Sequence, residues 1–420
     1  VTVWRRLREA ILSPAGRLSF RVGALLGLTA LSQGCGFGIL LLCGNVLGPD
    51  GLGLFLFALG VQGFLVLFAS GGLGTVAVRE VGRRLAEADP AGADAATTAY
   101  LLLVCASSAL AHGVVAVAVA LTPCSAEERA VLFWMLAGNV VGAVSLLPLF
   151  DARHRQLRPA FVTVLVDVAT LAAFAAVAVA GGLTPPVAMA LLAAKWVAIA
   201  VGHLALLAAL APLRWDYRPA VVRAFLRPGP RLLLAGFLVL VPLSGGVVVT
   251  RLLRTPADAA VIGLATQIAL VHTTAWWQVS RILQPHILGP HGEEAWFVRR
   301  LAAGVAAALA GLTVALAGAA AVVFLWLLPP EYRDALLPTG LLLVAATEWG
   351  VAAVVWAYLV RRHREGAIMA GYLAGAVVYV PAAMAGTVAL GPVGAAAASA
   401  LAAAATLAVL VGFLRRPIPA

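Results

Sequence analysis

Four ionisable side chains interrupt long apolar stretches of this 420-residue chain: Asp167, Lys195, Arg281 and Glu348. Each costs roughly 2.5–3.5 kcal/mol at the centre of a bilayer on insertion scales, so each needs a partner or a task. Two kinds of chemistry follow from these residue types. The cations can hold an anion such as a phosphate, and the carboxylates can carry a proton or a sodium ion. Counting inward along the apolar runs, at ~1.5 Å per residue, puts Asp167 and Arg281 about 12 Å from one membrane face. The same count puts Lys195 and Glu348 about 15 Å from the other. Depth therefore pairs Asp167 with Arg281 and Lys195 with Glu348, and makes Asp167 and Lys195 poor partners. Two readings stay open: structural ion pairs between bundles, or a cleft that binds an anion and exchanges partners as it moves.

Around Arg281 the spacing is informative. Gln267, Thr274, Gln278 and Arg281 return to nearly the same helical angle, which makes a polar stripe suited to a wet cavity. His272 and Trp276-Trp277 flank it, and aromatic faces there can contact sugar rings. Arg21 and Arg251 stand at the ends of apolar runs, where they snorkel to headgroups or meet a phosphate at a cleft mouth. Gln33 and Asn139 are expected to hydrogen-bond between helices. Glu127-Glu128 and Glu331 with Asp334 read as solvated loop charges. No metalloprotease, nucleophile-elbow or Walker pattern occurs, so no catalytic residue is assigned. The four cysteines lack ligand spacing, so neither a disulfide framework, a metal nor a cofactor is expected.

The elements that must position these groups are membrane helices. The chain is 63% hydrophobic and 11% charged, too apolar for a large soluble fold or a disordered one. Twelve runs are long enough to span a bilayer as helices. They lie near 20–43, 53–77, 97–121, 130–150, 159–181, 185–211, 231–252, 260–288, 301–328, 336–360, 367–389 and 393–414. With a cytoplasmic N-terminus, 23 of the 29 basic residues fall on inner loops and two within spans. Only Arg129, Arg251, Arg254 and Arg333 fall outside. This bias is a strong positive-inside signal, and it turns the +11 net charge into a topology device rather than a nucleic-acid surface. Charges continuing to Arg21 argue against a cleavable leader, and Trp4, Leu7 and Ile11 mark residues 1–19 as an interfacial segment. The expected fold is all-α: a first six-helix bundle over 20–212, a cytoplasmic linker with a short in-plane helix over 213–230, a second bundle over 231–414 and a tail over 415–420. Similar Pro/Asp turns, Gly48-Pro49-Asp50 and Thr255-Pro256-Ala257-Asp258, stand at corresponding positions and suggest a parallel repeat. Gly23/Gly27 and Gly34/Gly38 offer small faces for close helix packing, and Gly71-Gly72-Leu73-Gly74 a bend in the second span.

The stretches Leu47-Gly48-Pro49-Asp50-Gly51-Leu52-Gly53-Leu54-Phe55, Ser70-Gly71-Gly72-Leu73-Gly74-Thr75 and Arg79-Glu80 carry a resemblance. So do Pro242-Leu243-Ser244-Gly245 and Ile262-Gly263-Leu264-Ala265-Thr266-Gln267. Together they resemble bacterial polysaccharide-biosynthesis flippases, the O-antigen and capsule oligosaccharide transporters of the multidrug/oligosaccharidyl-lipid/polysaccharide exporter superfamily. The resemblance implies two six-helix lobes around a V-shaped cavity in the plasma membrane, with both termini cytoplasmic. It implies a polyprenyl-diphosphate-linked oligosaccharide turned from the inner to the outer leaflet, with glycosyltransferases or a polymerase as partners. Lys195 and Arg281 are then the expected diphosphate contacts, Gln267, Thr274 and Gln278 the cavity lining, and Asp167 and Glu348 the counter-charges. A cation-coupled multidrug antiporter, with Asp167 or Glu348 carrying the ion, is the main rival. A membrane glycosyltransferase is the weaker one, because the outer loops are too short to present catalytic carboxylates.

Overall fold

The computed structural model describes residues 14–70, 72–210, 214–227, 229–288, 295–361 and 364–414. Its helices are α1 (Pro14–Val46), α2 (Gly48–Ser70), α3 (Leu73–Ala86), α4 (Pro90–Leu121), α5 (Ala126–Gly142), α6 (Leu147–Ala152), α7 (Leu157–Val179) and α8 (Pro185–Leu210). They continue as α9 (Pro219–Leu226), α10 (Gly229–Leu253), α11 (Pro256–Leu288), α12 (Ala295–Val322), α13 (Leu336–Arg361), α14 (Glu365–Leu390) and α15 (Pro392–Leu414). Eleven helical stretches are long and apolar enough to cross a membrane. The twelfth expected span corresponds to α10, a helix of 25 residues that includes the apolar stretch Val241–Leu253. The protein is a multi-pass, all-α membrane protein. The expected interfacial segment around Trp4, Leu7 and Ile11 and the 415–420 tail lie outside the described residues.

Local chemistry sets the helix ends. Pro90, Pro185, Pro219, Pro256 and Pro392 open helices at positions where an N–H would have no partner. Asp89 caps α4 by accepting the Gly92 N–H at 2.8 Å. Thr255 and Asp258 bond reciprocally at the start of α11, the Thr255 hydroxyl accepting the Asp258 N–H at 3.1 Å and donating to its carboxylate at 3.0 Å. The expected bend in the second span is a break: Gly72 sits at φ 72°, a left-handed conformation that separates α2 from α3. The fourth span is likewise divided, α5 ending at Gly142 before the short α6.

Chain direction alternates, so the long helices share two ends. One carries Arg79, Arg83, Arg155, Arg218 and Arg364, and is called here the arginine-rich end. The far end carries the turns at Gly48, Gly181, Pro256 and Gly391. The two lobes meet at the far end. There a single buried apolar cluster takes Ile39 and Cys43 from α1, Leu52 and Phe55 from α2, Met135 from α5 and Phe174 from α7, together with Leu264 of α11, Leu343 of α13, and Phe324 and Tyr332 from the connection between α12 and α13. Towards the arginine-rich end the buried clusters belong to one lobe each. Leu73, Tyr100, Phe150, Leu207, Val221 and Phe225 form one in the first lobe. Trp349, Tyr372 and Leu410 form another in the second.

The α2 glycines trace the same divergence. A Cβ on Gly53 would overlap the Pro256 carbonyl, whereas one on Gly60 would meet Val248 at 3.4 Å and one on Gly63 the Ser244 hydroxyl at 3.9 Å. The seam loosens away from the far end. The glycine faces expected to pack α1 do so only at Gly38, where a Cβ would meet Leu171 at 3.1 Å. Gly23, Gly27 and Gly34 face open space, with no described atom within 4 Å of a Cβ there. They lie on the part of α1 where the lobes have already parted.

Candidate functional site

Asp167 of α7 and Lys195 of α8 are partners. Lys195 Nζ lies 2.7 Å from Asp167 Oδ1, and the Ser32 hydroxyl of α1 donates to Asp167 Oδ2. The carboxylate is 1% exposed and the lysine side chain 18%. This overturns the expectation that Asp167 and Lys195 are poor partners, and with it the pairing of Lys195 with Glu348; the expected partner Arg281 has its side chain outside the described residues. Asp167 and Lys195 lie on antiparallel neighbours joined by a short turn, 12 positions before the end of α7 and 10 after the start of α8. Measured from that shared turn their depths differ by only ~3 Å, which the lysine's four-carbon stem easily bridges. Beside the pair runs an open crevice of about 360 Å³ between α7 and α8, walled by Leu165, Ala169, Ala173, Leu191 and Ala194, with Lys195 among its lining residues.

The second charged contact joins the lobes. Arg251, near the end of α10, lies 2.8 Å from Glu128 in the first turn of α5. Its guanidinium carbon stands 5.9 Å from the Phe57 ring centre on α2. Arg251 therefore does not reach for headgroups, and Glu128 is not a solvated loop charge: both are largely covered, at 25% and 17% exposure. A small cavity of about 160 Å³ adjoins them, lined also by Asp50, Ser125, Glu127 and Pro256. Arg254, one turn on, donates to the carbonyls of Thr387 at 3.0 Å and Val388 at 2.7 Å. It satisfies the last turn of α14.

The remaining expected residues stand on α11 and α13. Gln267 and Thr274 are half-buried and make no hydrogen bond among the described residues. The side chains of Gln278 and Arg281 on α11, and of Arg21 on α1, lie outside those described. Glu348 is half-buried on α13, and its Oε2 is covered without a partner among the described residues. It does not pair with Lys195. At His272 and Trp276 the aromatic flank of the stripe is closed to sugar, and the side chain of Trp277 lies outside the described residues. His272 is fully buried, and Trp276, at 6% exposure, packs with Leu309 and Tyr358.

Of two buried polar clusters, the sequence singled out only Asn139 and His272, the latter as a flank of the polar stripe. In the first lobe Asn139 Nδ2 donates to His112 Nε2 at 3.0 Å, and Gln62 donates to Asn139 Oδ1 at 3.2 Å. His112 Nδ1 then donates to the Ser108 carbonyl at 2.7 Å. In the second lobe His272 Nε2 lies 3.3 Å from the Thr313 hydroxyl and 3.4 Å from that of Thr347, with the two hydroxyls 2.7 Å apart. The first cluster draws on the second, third and fourth spans, and the second on the eighth, ninth and tenth. Each cluster thus ties the second, third and fourth spans of its own set of six. The available signal was a lone polar residue in each apolar run. Gln33 is half-buried and makes no such bond among the described residues.

The charged triad has no such counterpart. Where α7 and α8 carry Asp167 and Lys195, α14 and α15 bring Gly375 against the Ala402 carbonyl and the Thr406 hydroxyl, and Gly386 against Gly394. The second lobe closes its last two helices with backbone contact. The first holds them by an ion pair beside an open crevice.

The whole-chain architecture is similar to that of solved transporters. A lipid II flippase MurJ in an inward closed conformation aligns with a TM-score of 0.63 and 9% identity, over 93% of this chain and 87% of that one. A multidrug resistance MATE family transporter of the MOP superfamily, in an inward-facing conformation, aligns at 0.62 and 14%, over 92% and 94%. A MOP superfamily transporter from Pyrococcus furiosus Vc1 aligns at 0.53 and 14%, over 94% and 92%. At these identities the likeness is one of fold. No curated protein matches the sequence significantly. The profile of the polysaccharide biosynthesis protein family matches residues 21–271, the whole first lobe, the linker and the start of the second. That match covers well over half of the chain, which therefore belongs to the polysaccharide biosynthesis protein family.

Proposed function

We propose that the protein is a flippase that moves a polyprenyl-diphosphate-linked oligosaccharide from the inner to the outer leaflet of a bacterial plasma membrane by alternating access. In this reading both termini are cytoplasmic, the arginine-rich end faces the cytoplasm, and glycosyltransferases and a polymerase act before and after it. The chain transports and does not catalyse.

One observation carries the reading: a lysine held by a buried aspartate at mid-membrane, bordering an open apolar crevice. A lone anion-binding group in apolar surroundings suits an amphiphile with a phosphate head. Lys195 exchanges Asp167 for the diphosphate, while Ser32 keeps one hydrogen bond to the vacated carboxylate. The polyprenyl chain stays in lipid. Arg281, Gln267, Thr274 and Gln278 of α11 offer the second lobe's contacts, with Glu348 as counter-charge. Arg251 is assigned to the lobe seam rather than to substrate. The family match supports the substrate class.

The test is reconstitution in proteoliposomes with a fluorescent prenyl-diphosphate saccharide loaded on one leaflet. Protein-dependent exposure to an impermeant glycosidase is expected, and Lys195→Ala should remove it. A second reading is favoured by the Oε2 of Glu348, covered and without a partner among the described residues: cation-coupled efflux of amphiphilic drugs. Such efflux without any movement of the saccharide lipid would replace the flippase.

A further inference from the structure

The arginines at the arginine-rich end divide into two groups. Several are neutralised within the first lobe. Arg83 lies 3.1 Å from Glu80 and 2.8 Å from Glu87, Arg84 3.1 Å from Asp89, and Arg218 2.6 Å from Asp216. Arg214, Arg223 and Arg227 are different. All three are exposed, and none has a carboxylate, carbonyl or ring partner among the described residues. They surround α9, the in-plane helix between the lobes.

The mounting of α9 decides which way these groups point. Val221 and Phe225, four positions apart, are buried in the first lobe's cluster with Leu73, Tyr100 and Phe150. The preceding segment is pinned to α4. Thr98 accepts the Asp216 N–H at 3.1 Å and donates to the Arg214 carbonyl at 3.4 Å. With one face fixed on the lobe, the other presents Arg223, Leu226 and Arg227, and the pinned segment presents Arg214, Trp215 and Tyr217. Trp215 is 70% exposed, Tyr217 64% and Leu226 49%. Exposed indole, phenol and leucine among unpaired guanidinium groups are costly in water. They suit a surface that is apolar on one side and anionic on the other.

We infer that this face of α9 and its preceding segment is a docking surface for anionic phospholipid headgroups. The guanidinium groups meet lipid phosphates, and Trp215, Tyr217 and Leu226 enter the headgroup–acyl boundary. The occupant is the leaflet and not a soluble phosphate, because the three exposed arginines lie beside membrane-seeking side chains, Trp215, Tyr217 and Leu226. The consequence is mechanical. Anionic lipid holds the linker and the first lobe in the plane of the leaflet, and the second lobe rocks against that fixed frame.

The full chain, purified in detergent, is offered phosphatidylglycerol and phosphatidylcholine in equal amounts, and the retained lipid is counted by native mass spectrometry. A severalfold preference for phosphatidylglycerol is expected, weakening as salt is raised. The triple variant R214Q/R223Q/R227Q should lose it, whereas R83Q, at an arginine already neutralised, should keep it. All three positions of the triple variant are exposed, so the buried Val221 and Phe225 anchor is untouched. Equal retention of both lipids by the native chain, or an unchanged preference in the triple variant, overturns the inference. So does displacement of phosphatidylglycerol by inorganic pyrophosphate at low concentration, which would make the surface a site for a soluble anion.

Discussion

Asp167 is the residue on which the first lobe's interior depends. It is almost fully buried and ionic, and its partners come from two other helices, Lys195 of α8 and Ser32 of α1. Removing the lysine alone strands a charge in apolar surroundings, which costs about 3–5 kcal/mol where one member of a buried pair is deleted. Lys195→Met should therefore lower the thermal unfolding midpoint sharply. The double variant D167L/K195M should recover most of that loss, because an apolar pair of similar volume is often neutral. If Lys195 meets the diphosphate, the recovered double variant stays inactive in the flipping assay; a fully active double variant reduces the pair to a structural brace. Exchanging Asp167 with Arg281 should rescue neither stability nor transport, while D167K/K195D should restore stability. The residue types were legible in the sequence, since four charges stand out in so apolar a chain. Their pairing was not, because each depth was counted from its own span's assumed end. The shared turn between α7 and α8 is the ruler that matters, and Ser32 carries no charge to draw attention to it.

At the scale of elements, eleven of the twelve expected spans were legible as membrane-length helices, because about twenty apolar residues between arginine clusters admit one structure in a bilayer. What lies within spans was less so. The π-helical turn at Val323–Leu327 and the division of the fourth span into α5 and α6 depend on tertiary packing, which apolar periodicity does not encode. The α1 glycines show the same limit: small residues permit close packing but do not require it. The α2–α11 contact does require it, at Gly53. Gly53→Ala places a methyl on the Pro256 carbonyl and should wedge the far ends of these helices apart. Cys43, fully buried in the shared cluster, is a native reporter. With Cys35, Cys105 and Cys124 replaced by serine, maleimide labelling of Cys43 should be negligible in the parent and rise severalfold in the Gly53→Ala variant. Unchanged labelling would mean that the seam relaxes without opening. At the arginine-rich end the α3–α4 turn gives a pH signature. The Gly92 N–H holds the Asp89 carboxyl below the ordinary aspartate range, and Arg84 adds to the effect against some desolvation. The turn's added stability is therefore fully present above the unfolded value of about 3.9 and is lost as pH falls through the lower folded value. Hydrogen exchange at the start of α4 should accelerate only below that range, and in Asp89→Ala it should be fast throughout.

The whole molecule is a pair of lobes that the sequence could count but not pose. Two sets of six spans, similar turns and a basic linker made the halves legible, and the matching His112 and His272 clusters tie three equivalent helices in each. Which end of the V is shut could not be read from periodicity, because every lobe-facing residue has a plausible role in either pose. The structure has the far end shut, by a shared apolar cluster and by Arg251–Glu128. Alternating access needs that closure to be reversible, so the energy holding it should be small beside the stability of each lobe. The ion pair fits this. It is partly exposed, so screening reduces its worth to about 1 kcal/mol, and the Phe57 contact adds roughly 0.5–1 kcal/mol. Losing about 1.4 kcal/mol shifts a two-state population roughly tenfold. Glu128→Gln should therefore move the equilibrium towards a far-end-open state without unfolding either lobe. Spin labels at Leu121 and Leu252, both strongly exposed and on opposite lobes near the far end, can report it by pulsed dipolar spectroscopy. A longer distance component should grow in Glu128→Gln and in Arg251→Gln, and shrink again in the charge-exchanged pair E128R/R251E. Restoration by the exchange separates a latch from simple loss of packing. If both single variants keep the parent distribution, the apolar cluster alone closes the far end and the ion pair serves only to position α10.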